Sequence, residues 1–299
     1  MKHCMALMLA GLLALMGIGA ASAESIDAAD YGYRGDETVE EQLVYDAEGV
    51  RITATGLEIV HYVPVLGLRI ENTSGKTLEF DLEESVLNDW MWDANLCLYE
   101  NKGGDPDDDY YDETADIVVA DGETLACGLG FSNEYYYRLC GIIGFGGIGF
   151  VLRASDPESG ETAFITPVIN VATSLGTDYP GLYVDAGTLA YDEGGVRIVI
   201  PGLNLDEYGG PGALVYANNF SDRPVLITAE QCTVNGAAAE PWFSAVVSPG
   251  RQCLAEIGFE DDVTRIDTLS IAFRVAAYNA EDMENPDVIG TSDVVELTF

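Results

Sequence analysis

Basic residues are scarce in this 299-residue chain, which has 13 lysines and arginines against 51 aspartates and glutamates. The formal net charge is −38 at neutral pH. Nucleic acid and anionic lipid are bound by lysine and arginine side chains that replace counterions, and a chain this acidic repels both. We therefore expect no nucleic-acid partner and no binding to a membrane surface. The charge instead favours solubility, attraction of cations and repulsion between copies.

Histidine is also nearly absent, with two in the whole chain. Only His61 lies beyond the first 23 residues, and it stands in an apolar run without a Gly-x-Ser-x-Gly nucleophile motif nearby. No two cysteines are spaced as Cys-x-x-Cys, so a zinc site is not expected. These absences predict a non-enzymatic protein. Carboxylates are abundant, and a hydrolase that uses a pair of them is therefore the alternative.

Only one long apolar run is present, at residues 5–20. It follows Lys2 and ends in the small residues of positions 21–23. A positive charge, a short apolar run and small residues form the pattern that signal peptidase cuts. We therefore predict a signal peptide at 1–23, a secreted or cell-surface location, and no membrane insertion after cleavage. Residues 24–42 are acidic and lack apolar periodicity, which predicts a disordered segment.

The chain contains an internal repeat, because residues 66–89 and 213–236 read as one segment written twice at an offset of 147. The aligned pairs are Asn72 and Asn219, Ser74 and Ser221, Lys76 and Arg223, Leu78 and Val225, Phe80 and Ile227, and Asn88 and Asn235. A repeat of this kind predicts two similar structural units. The offset is only 128 at Phe131 and Phe259, so the first unit carries 19 extra residues after Asn88.

Each unit shows the patterning of short strands, and no window of helical length has 3.6-residue periodicity. Val50, Ile52 and Ala54 alternate with polar residues, which indicates a strand with one buried face. Many short strands separated by turns are typical of an immunoglobulin-like sandwich. The predicted fold class is therefore all-β, with two tandem immunoglobulin-like antiparallel β-sandwich domains after a signal peptide and a short acidic tail.

The predicted boundaries place module 1, with its acidic insertion, at residues 43–174. A linker is predicted at 175–188, and module 2 at 189–299. Both modules have the size of a single domain.

Several strand and turn motifs resemble a known but uncharacterised immunoglobulin-like repeat. They are residues 45–53, 71–76 and 271–275, the pair Asn235 and Gly236, and the Ser-Pro-Gly of 248–250. That repeat occurs in exported, often tandem-module proteins of gut-dwelling Gram-positive bacteria. The resemblance covers both modules and implies a sandwich fold and an exported or cell-surface location. No catalytic residue belongs to these motifs.

Five cysteines lie beyond the predicted leader, and an oxidising compartment favours their pairing. Module 2 holds only Cys232 and Cys253, so we predict a disulfide between them. Module 1 holds Cys97, Cys127 and Cys140. We predict a Cys97–Cys127 disulfide because it would tether the insertion to the sheet, although spacing alone leaves the other pairings open. Cys140 would then be a buried thiol.

The acidic insertion is the candidate metal site. It contains Asp105, Asp107, Asp109, Asp112 and Glu113. Calcium prefers several carboxylate oxygens gathered on one flexible segment, so these residues predict a calcium site. The sixth-position glycine and closing glutamate of an EF-hand loop are missing, and a solvated acidic loop is the alternative. No other cofactor is expected.

Aromatic residues suggest a second kind of site. They cluster at Trp90 and Trp92, at Tyr110 and Tyr111, and at residues 135–137. Exposed aromatic rings stack on sugars, which favours carbohydrate binding, but Trp242 and Phe243 at the corresponding place in module 2 favour core packing. The overall prediction is a secreted, non-enzymatic protein that binds an extracellular protein or glycan, or acts as a structural module, at the cell surface. The alternative is a carbohydrate-active surface hydrolase or a calcium-dependent glycan-binding protein.

Overall fold

The computed structural model describes residues 35–60, 63–100, 110–112, 116–132, 134–176, 186–204, 211–259, 263–279 and 287–299. Within these ranges the chain is β-structure apart from one short helix, α1 (Glu134–Cys140), and the predicted all-β class is confirmed. The predicted leader at 1–23, His61 and residues 177–185 of the predicted linker lie outside these ranges. No helix among the described residues is both long and apolar enough to cross a membrane.

Module 1 contains twelve strands in its described part, and α1 lies between the ninth and the tenth. The strands are β1 (Gln42–Ala47), β2 (Val50–Val60), β3 (Val63–Asn72), β4 (Leu78–Leu87), β5 (Trp90–Met91), β6 (Asn95–Glu100), β7 (Tyr110–Asp112), β8 (Ile117–Val119), β9 (Thr124–Gly130), β10 (Gly147–Ser155), β11 (Thr162–Ile165) and β12 (Ile169–Ala172).

These strands form two antiparallel sheets. The first has the order β1-β2-β3-β9-β6-β7, and the second has the order β11-β10-β4-β5, with β12 beside β10 and β8 beside β4. Strands β6 and β7 come from the 19-residue insertion. Because β6 pairs with β9 through Asn95–Gly130 and Cys97–Gly128, the insertion covers the edge of β9.

Module 2 contains ten strands in its described part. They are β13 (Thr188–Glu193), β14 (Val196–Asn204), β15 (Gly212–Asn219), β16 (Val225–Val234), β17 (Ala237–Ala238), β18 (Ser244–Val247), β19 (Gln252–Ile257), β20 (Thr268–Ala277), β21 (Val288–Thr291) and β22 (Val295–Thr298). Strands β13-β14-β15-β19 are neighbours, as are β17-β16-β20-β21, with β18 beside β16 and β22 beside β20. This is the pairing scheme of module 1 without β6, β7 and α1.

Asn72 shows why the Asn-x-Ser turn recurs in both modules. Its side chain is fully buried, and Nδ2 donates to the carbonyls of Lys76 (2.7 Å) and Val119 (2.8 Å). Its Oδ1 accepts from the Ser74 amide at 3.0 Å. The side chain thus satisfies buried backbone groups that have no strand partner at the end of β3.

Asn219 makes the same bonds at the end of β15. Its Nδ2 donates to the carbonyls of Arg223 and Val247, both at 2.8 Å, and its Oδ1 accepts from the Ser221 amide at 2.9 Å. Asn219 is also fully buried. The sequence alignment of Asn72 with Asn219 therefore holds atom by atom.

A second asparagine pair closes the β4–β5 and β16–β17 hairpins. Asn88 (φ 50°) and Asn235 (φ 52°) both take the left-handed conformation that a tight hairpin requires. Asn88 donates to the carbonyl of Gly144 at 2.7 Å, and Asn235 donates to the carbonyl of Arg265 at 2.9 Å. Gly144 and Arg265 are therefore equivalent positions.

Each module has its own hydrophobic core. Ile52, Leu68 and Phe150 are among the buried residues of the first, and Ile198, Val215 and Phe273 are among those of the second. The two cores meet where the modules touch, because Tyr216 of module 2 belongs to the first core and Met91 of module 1 packs against the second.

One sheet runs through both modules. Strand β5 pairs in parallel with β19 through Trp90 and Gln252, which gives the order β11-β10-β4-β5-β19-β15-β14-β13. The contacts that support this joint are Gln252 N to Asp89 O (3.1 Å), Arg251 Nη1 to Asp89 Oδ1 (2.5 Å), Ser248 Oγ to Glu84 Oε2 (2.6 Å) and Tyr216 OH to Leu139 O (2.8 Å). The modules are therefore fixed to each other and are not two bodies on a free linker.

Part of the segment predicted to be disordered is packed. Glu37 is 4% exposed, and its Oε1 accepts from the Phe145 amide at 2.7 Å. The backbone of Thr38 accepts from Ser174 N at 2.8 Å, and Val39 joins the core of module 1. The polar sequence of this segment predicts disorder because only two of its described side chains, those of Glu37 and Val39, are buried against module 1. Residues 24–34 lie outside the described ranges.

Neither predicted disulfide is formed in the structure, in which no two of the five described cysteines are bridged. Cys97 is in register with Gly128, so the next residue, Cys127, faces the other side of the sheet. Cys97 accordingly packs with Val60 and Val65, and Cys127 packs in the main core of module 1. This side-chain alternation rules out the Cys97–Cys127 bond.

Cys232 and Cys253 lie on different sheets of module 2. Cys232 is opposite Ile271 in β20, and Cys253 is opposite Ala217 in β15. Both thiols pack among apolar side chains, as unpaired buried cysteines commonly do. The predicted Cys232–Cys253 disulfide is therefore absent from this structure, although these are the two cysteines of module 2.

Candidate functional site

The predicted calcium site lies mostly outside the described residues. Asp105, Asp107, Asp109 and Glu113 are not among them, and only the backbone of Asp112 is described, opposite Leu98 at the end of β7. Within the described ranges, no group of three or more histidine, cysteine, aspartate or glutamate residues is placed to hold a metal ion. The calcium site stays a prediction from composition.

The tryptophans of module 1 are packing residues. Trp90 is 1% exposed, and its ring meets that of Tyr216 edge-on with 5.7 Å between centroids. Trp92 lies 4.9 Å from the ring of Tyr137, and its indole nitrogen donates to Ser132 O at 2.8 Å. The Trp90 ring therefore offers no platform for a sugar, whereas the half-buried Trp92 ring is held against Tyr137 and keeps part of its surface accessible.

Trp242 and Phe243 of module 2 were both expected to pack in the core, and this expectation fails for Trp242. Trp242, expected in the core, is 60% exposed, whereas Phe243 packs edge-on against Phe273 at 5.5 Å. Trp242 is held by a bridge to Gly258, with Trp242 N donating to Gly258 O at 2.8 Å. A fixed backbone with an exposed indole is suited to ligand contact.

A cavity of about 550 Å³ opens at the end of module 2, and its lining includes Phe259, the residue after the bridge partner of Trp242. We call it the end cavity. It is lined by Val234 and Asn235, by residues 237–240, by Phe259, by residues 263–265 and by Asp267. Its volume lies within the range of ligand-binding pockets, and its lining combines apolar side chains with the polar or charged ones of Asn235, Glu240, Thr264, Arg265 and Asp267.

The end cavity exists because alanines in module 2 replace the tryptophans of module 1. Ala237 is in register with Val234 as Trp90 is with Leu87. Ala239 N donates to Cys232 O at 3.1 Å, as Trp92 N donates to Ser85 O at 2.9 Å. Trp-Met-Trp at 90–92 thus becomes Ala-Ala-Ala at 237–239, a difference that is readable at offset 147.

Helix α1 fills the same place in module 1, and the described residues of the equivalent segment in module 2, 263–265, are not helical. The offset is 128 at Phe131 and Phe259 but 121 at Gly144 and Arg265, so module 1 has seven more residues here. Those residues form α1, whose Tyr137 is fully buried between Trp92 and Phe145. Seven residues are too few for the periodicity that predicts a helix from sequence.

The positive and negative side chains that line the end cavity do not balance. Arg265 is paired with Asp267 at 2.7 Å, and its side chain is 78% exposed. Glu240 has no ion pair among the described residues. The lining therefore carries one net negative charge, on a chain whose own charge is −38.

A second hollow, of about 410 Å³, lies beside β4 and includes the acidic residues Glu79, Asp81 and Asp116. Arg153 also lines it, and its Nη2 lies 2.9 Å from Asp81 Oδ2 and its Nε 3.1 Å from Glu83 Oε1. The hydrogen bond with Asp81 is the main cause that raises the pKa of Arg153. Asp81 is thus occupied by an ion pair, which does not suit a catalytic acid or nucleophile.

The thiols are not placed for nucleophilic chemistry. Burial raises the pKa of Cys127 and that of Cys253 to about 12. Cysteine reacts as the thiolate, so these two groups are inert near neutral pH.

No protein-family model matches the chain, and no curated protein matches it significantly. Among solved structures the chain is similar to the YadV chaperone, at 10% identity and a TM-score of 0.23, with 78% of this chain and 92% of that chain covered. It is also similar to a protein of unknown function from Porphyromonas gingivalis W83, at 15% identity and a TM-score of 0.19, with 79% and 91% covered. At these TM-scores neither similarity assigns a fold or a function.

Proposed function

We propose that this chain is a secreted, non-enzymatic binding protein of two immunoglobulin-like β-sandwich modules, and that its ligand binds at the end cavity of module 2. The resemblance of its strand and turn motifs to an exported immunoglobulin-like repeat supports the fold and the location. The leader-like residues 1–23 support export.

The strand pairing supports two sandwiches of one kind. Each module has two antiparallel sheets around its own core, with the same neighbours in the same order. Stacked antiparallel sheets with alternating buried residues are the architecture of immunoglobulin-like domains.

The observation that carries the functional proposal is the end cavity itself. Module 1 fills the equivalent space with Trp90, Trp92 and Tyr137, so the opening in module 2 is a specific departure from a shared scaffold. A concave site lined by both apolar and polar side chains favours the binding of a ligand. In the hollow beside β4, Asp81 is paired with Arg153, which favours binding over hydrolysis.

The proposal is tested with a substitution that fills the end cavity. The full chain and its Ala239→Trp variant are screened against a glycan array and a phage-displayed library of random nonapeptides. We expect ligands that the wild-type chain retains and the variant loses, because the introduced indole occupies the position that Trp92 holds in module 1. Ala163→Trp, at an exposed alanine of β11, is the matched control and should bind as wild type does.

Two results would contradict the proposal. One is that every retained ligand binds Ala239→Trp as tightly as wild type, which would move the site elsewhere. The other is that a retained glycan is cleaved, which would favour the hydrolase.

A further inference from the structure

The structure of module 1 provides a template for what the end of module 2 binds. Strand β5 follows the Asn88 turn, and its outer edge carries another strand, β19, in the parallel direction. The backbone contact is Gln252 N to Asp89 O, at 3.1 Å. The edge of a two-residue strand thus acts as an acceptor for a strand from outside its own module.

Strand β17 occupies the equivalent position after the Asn235 turn. It ends its sheet, and both Ala237 and Ala238 are exposed, without a strand on the outer side within the described residues. The backbone N–H of Ala239 donates to Cys232 O in the neighbouring strand β16. Because successive N–H groups of a strand point to opposite sides, the N–H of Ala238 points away from β16. The outer edge of β17 therefore presents an unused backbone donor at Ala238.

We infer, on the basis of the binding role proposed above, that the end cavity binds an extended polypeptide segment that adds to β17 as a parallel strand and inserts an aromatic side chain. The edge provides backbone pairing and the cavity provides side-chain selection, which are the two parts of β-strand addition. An aromatic side chain fits because the space is the one that Trp90 and Trp92 fill in module 1.

Charge defines the segment further. Glu240 lines the cavity without an ion pair in the described part, whereas Arg265 is paired with Asp267. A lysine or arginine near the aromatic residue of the segment would pair with Glu240, and the overall charge of −38 attracts a basic partner.

A second copy of the chain does not fit this role. In module 1 the β9 edge is covered by β6, and in module 2 the β19 edge is covered by β5. Strands β9 and β19 are thus already paired in each copy, and neither can add to β17 of another copy. Two chains of charge −38 also repel each other. The partner is therefore a different polypeptide.

The experiment uses nonapeptides selected by the full chain from the random library, synthesised and titrated by calorimetry. We expect selected sequences to share one aromatic residue and a nearby lysine or arginine. Ala238→Pro removes the outward N–H and should weaken binding about tenfold, as should replacing the peptide's aromatic residue with alanine. Ala163→Trp should leave the affinity unchanged, and melting curves confirm that each variant is folded.

Peptide chemistry gives a second measurement that does not depend on the fold of any variant. N-methylation of the peptide at single positions should weaken binding at alternate residues only, since alternate N–H groups of an added strand face β17. Equal tolerance at every position would overturn strand addition, as would full affinity in a folded Ala238→Pro variant.

The remaining outcomes separate this inference from the proposed function. If glycans but no peptides bind, and Ala239→Trp abolishes that binding, the end cavity is a binding site and strand addition is wrong. If binding of every ligand is unaffected by Ala239→Trp, or if nothing binds, both proposals fail.

Discussion

Module 1 and module 2 share their strand framework and differ at one end of the sandwich. Asn72 and Asn219 bind the backbone in the same way, and so do Asn88 and Asn235. At the end beside β5, module 1 is filled by tryptophan and α1, whereas the equivalent end of module 2 is open. Asparagine side chains that bind the backbone thus recur at the same places of the shared framework, while the end of the sandwich differs between the modules.

The largest effect should come from making module 1 resemble module 2. We expect Trp90→Ala to lower the free energy of unfolding by about 4 kcal/mol, because a fully buried ring that also contacts Tyr216 is lost. Urea unfolding followed by circular dichroism measures this. Trp242→Ala is the control, and its exposed ring should change stability by less than about 1 kcal/mol. Equal losses in the two variants would remove the distinction between the module ends.

The shared framework is tested by Asn72→Ala and Asn219→Ala. Each should cost about 3 kcal/mol, because two buried carbonyls and an amide lose their partners. Asn170→Ala, at an exposed position in β12, should cost less than about 0.5 kcal/mol. If one variant loses much more unfolding free energy than the other, the equivalent hydrogen bonds of the two modules do not contribute equally to stability.

The buried thiols should make stability depend on alkaline pH in both modules. The folded-state pKa values of Cys127 and Cys253 are raised to about 12 from 9.0. Their contribution is complete below about pH 9 and is lost as the pH rises towards about 12, because the unfolded thiols ionise first. We expect each to add a slope of about −1.4 kcal/mol per pH unit in that window.

Cys127→Ala and Cys253→Ala should each reduce this slope, which is measured from urea unfolding at several pH values. The same samples give the thiol count after unfolding without reductant. The structure predicts that all five thiols from Cys97 to Cys253 react. A count lower by two would mean that a disulfide forms after all.

The smallest expected effect concerns the insertion that only module 1 carries. If the acidic loop binds calcium, millimolar calcium should stabilise the chain by about 1 kcal/mol, because the ion binds the folded state alone. Replacing Asp107 and Asp109 with asparagine should abolish the gain in melting temperature. Sodium at matched ionic strength is the control, and an equal gain with sodium would indicate general screening of the acidic surface.

Sequence patterns predicted the features that depend on local alternation and on turn chemistry. The β2 strand follows from Val50, Ile52 and Ala54, and the asparagine turns follow from the repeat itself. The open end of module 2 was not predicted. Offset 147 aligns Trp90 and Trp92 with Ala237 and Ala239, but the prediction placed Trp242 and Phe243 there instead.

Features that depend on long-range contact could not be predicted from the sequence. Helix α1 is stabilised by the packing of Tyr137 against Phe145 and against Trp92, which is 45 residues away in the chain. The joint of β5 with β19 is formed by backbone groups, and these carry no residue signature. The thiol pairings failed because they depend on which face of a sheet each residue occupies.

Because β6 covers the edge of β9, module 1 cannot join a further module through that edge. Two unmodified copies of one module would each expose a β9-type edge and a β5-type edge, and such units grow end to end into a fibre. In this chain the insertion stops growth at one end, and the joint of β5 with β19 uses one edge of each type internally. Among the described residues the pair of modules therefore has a polarity, with a covered β9 edge in module 1 and an unpaired β17 edge in module 2.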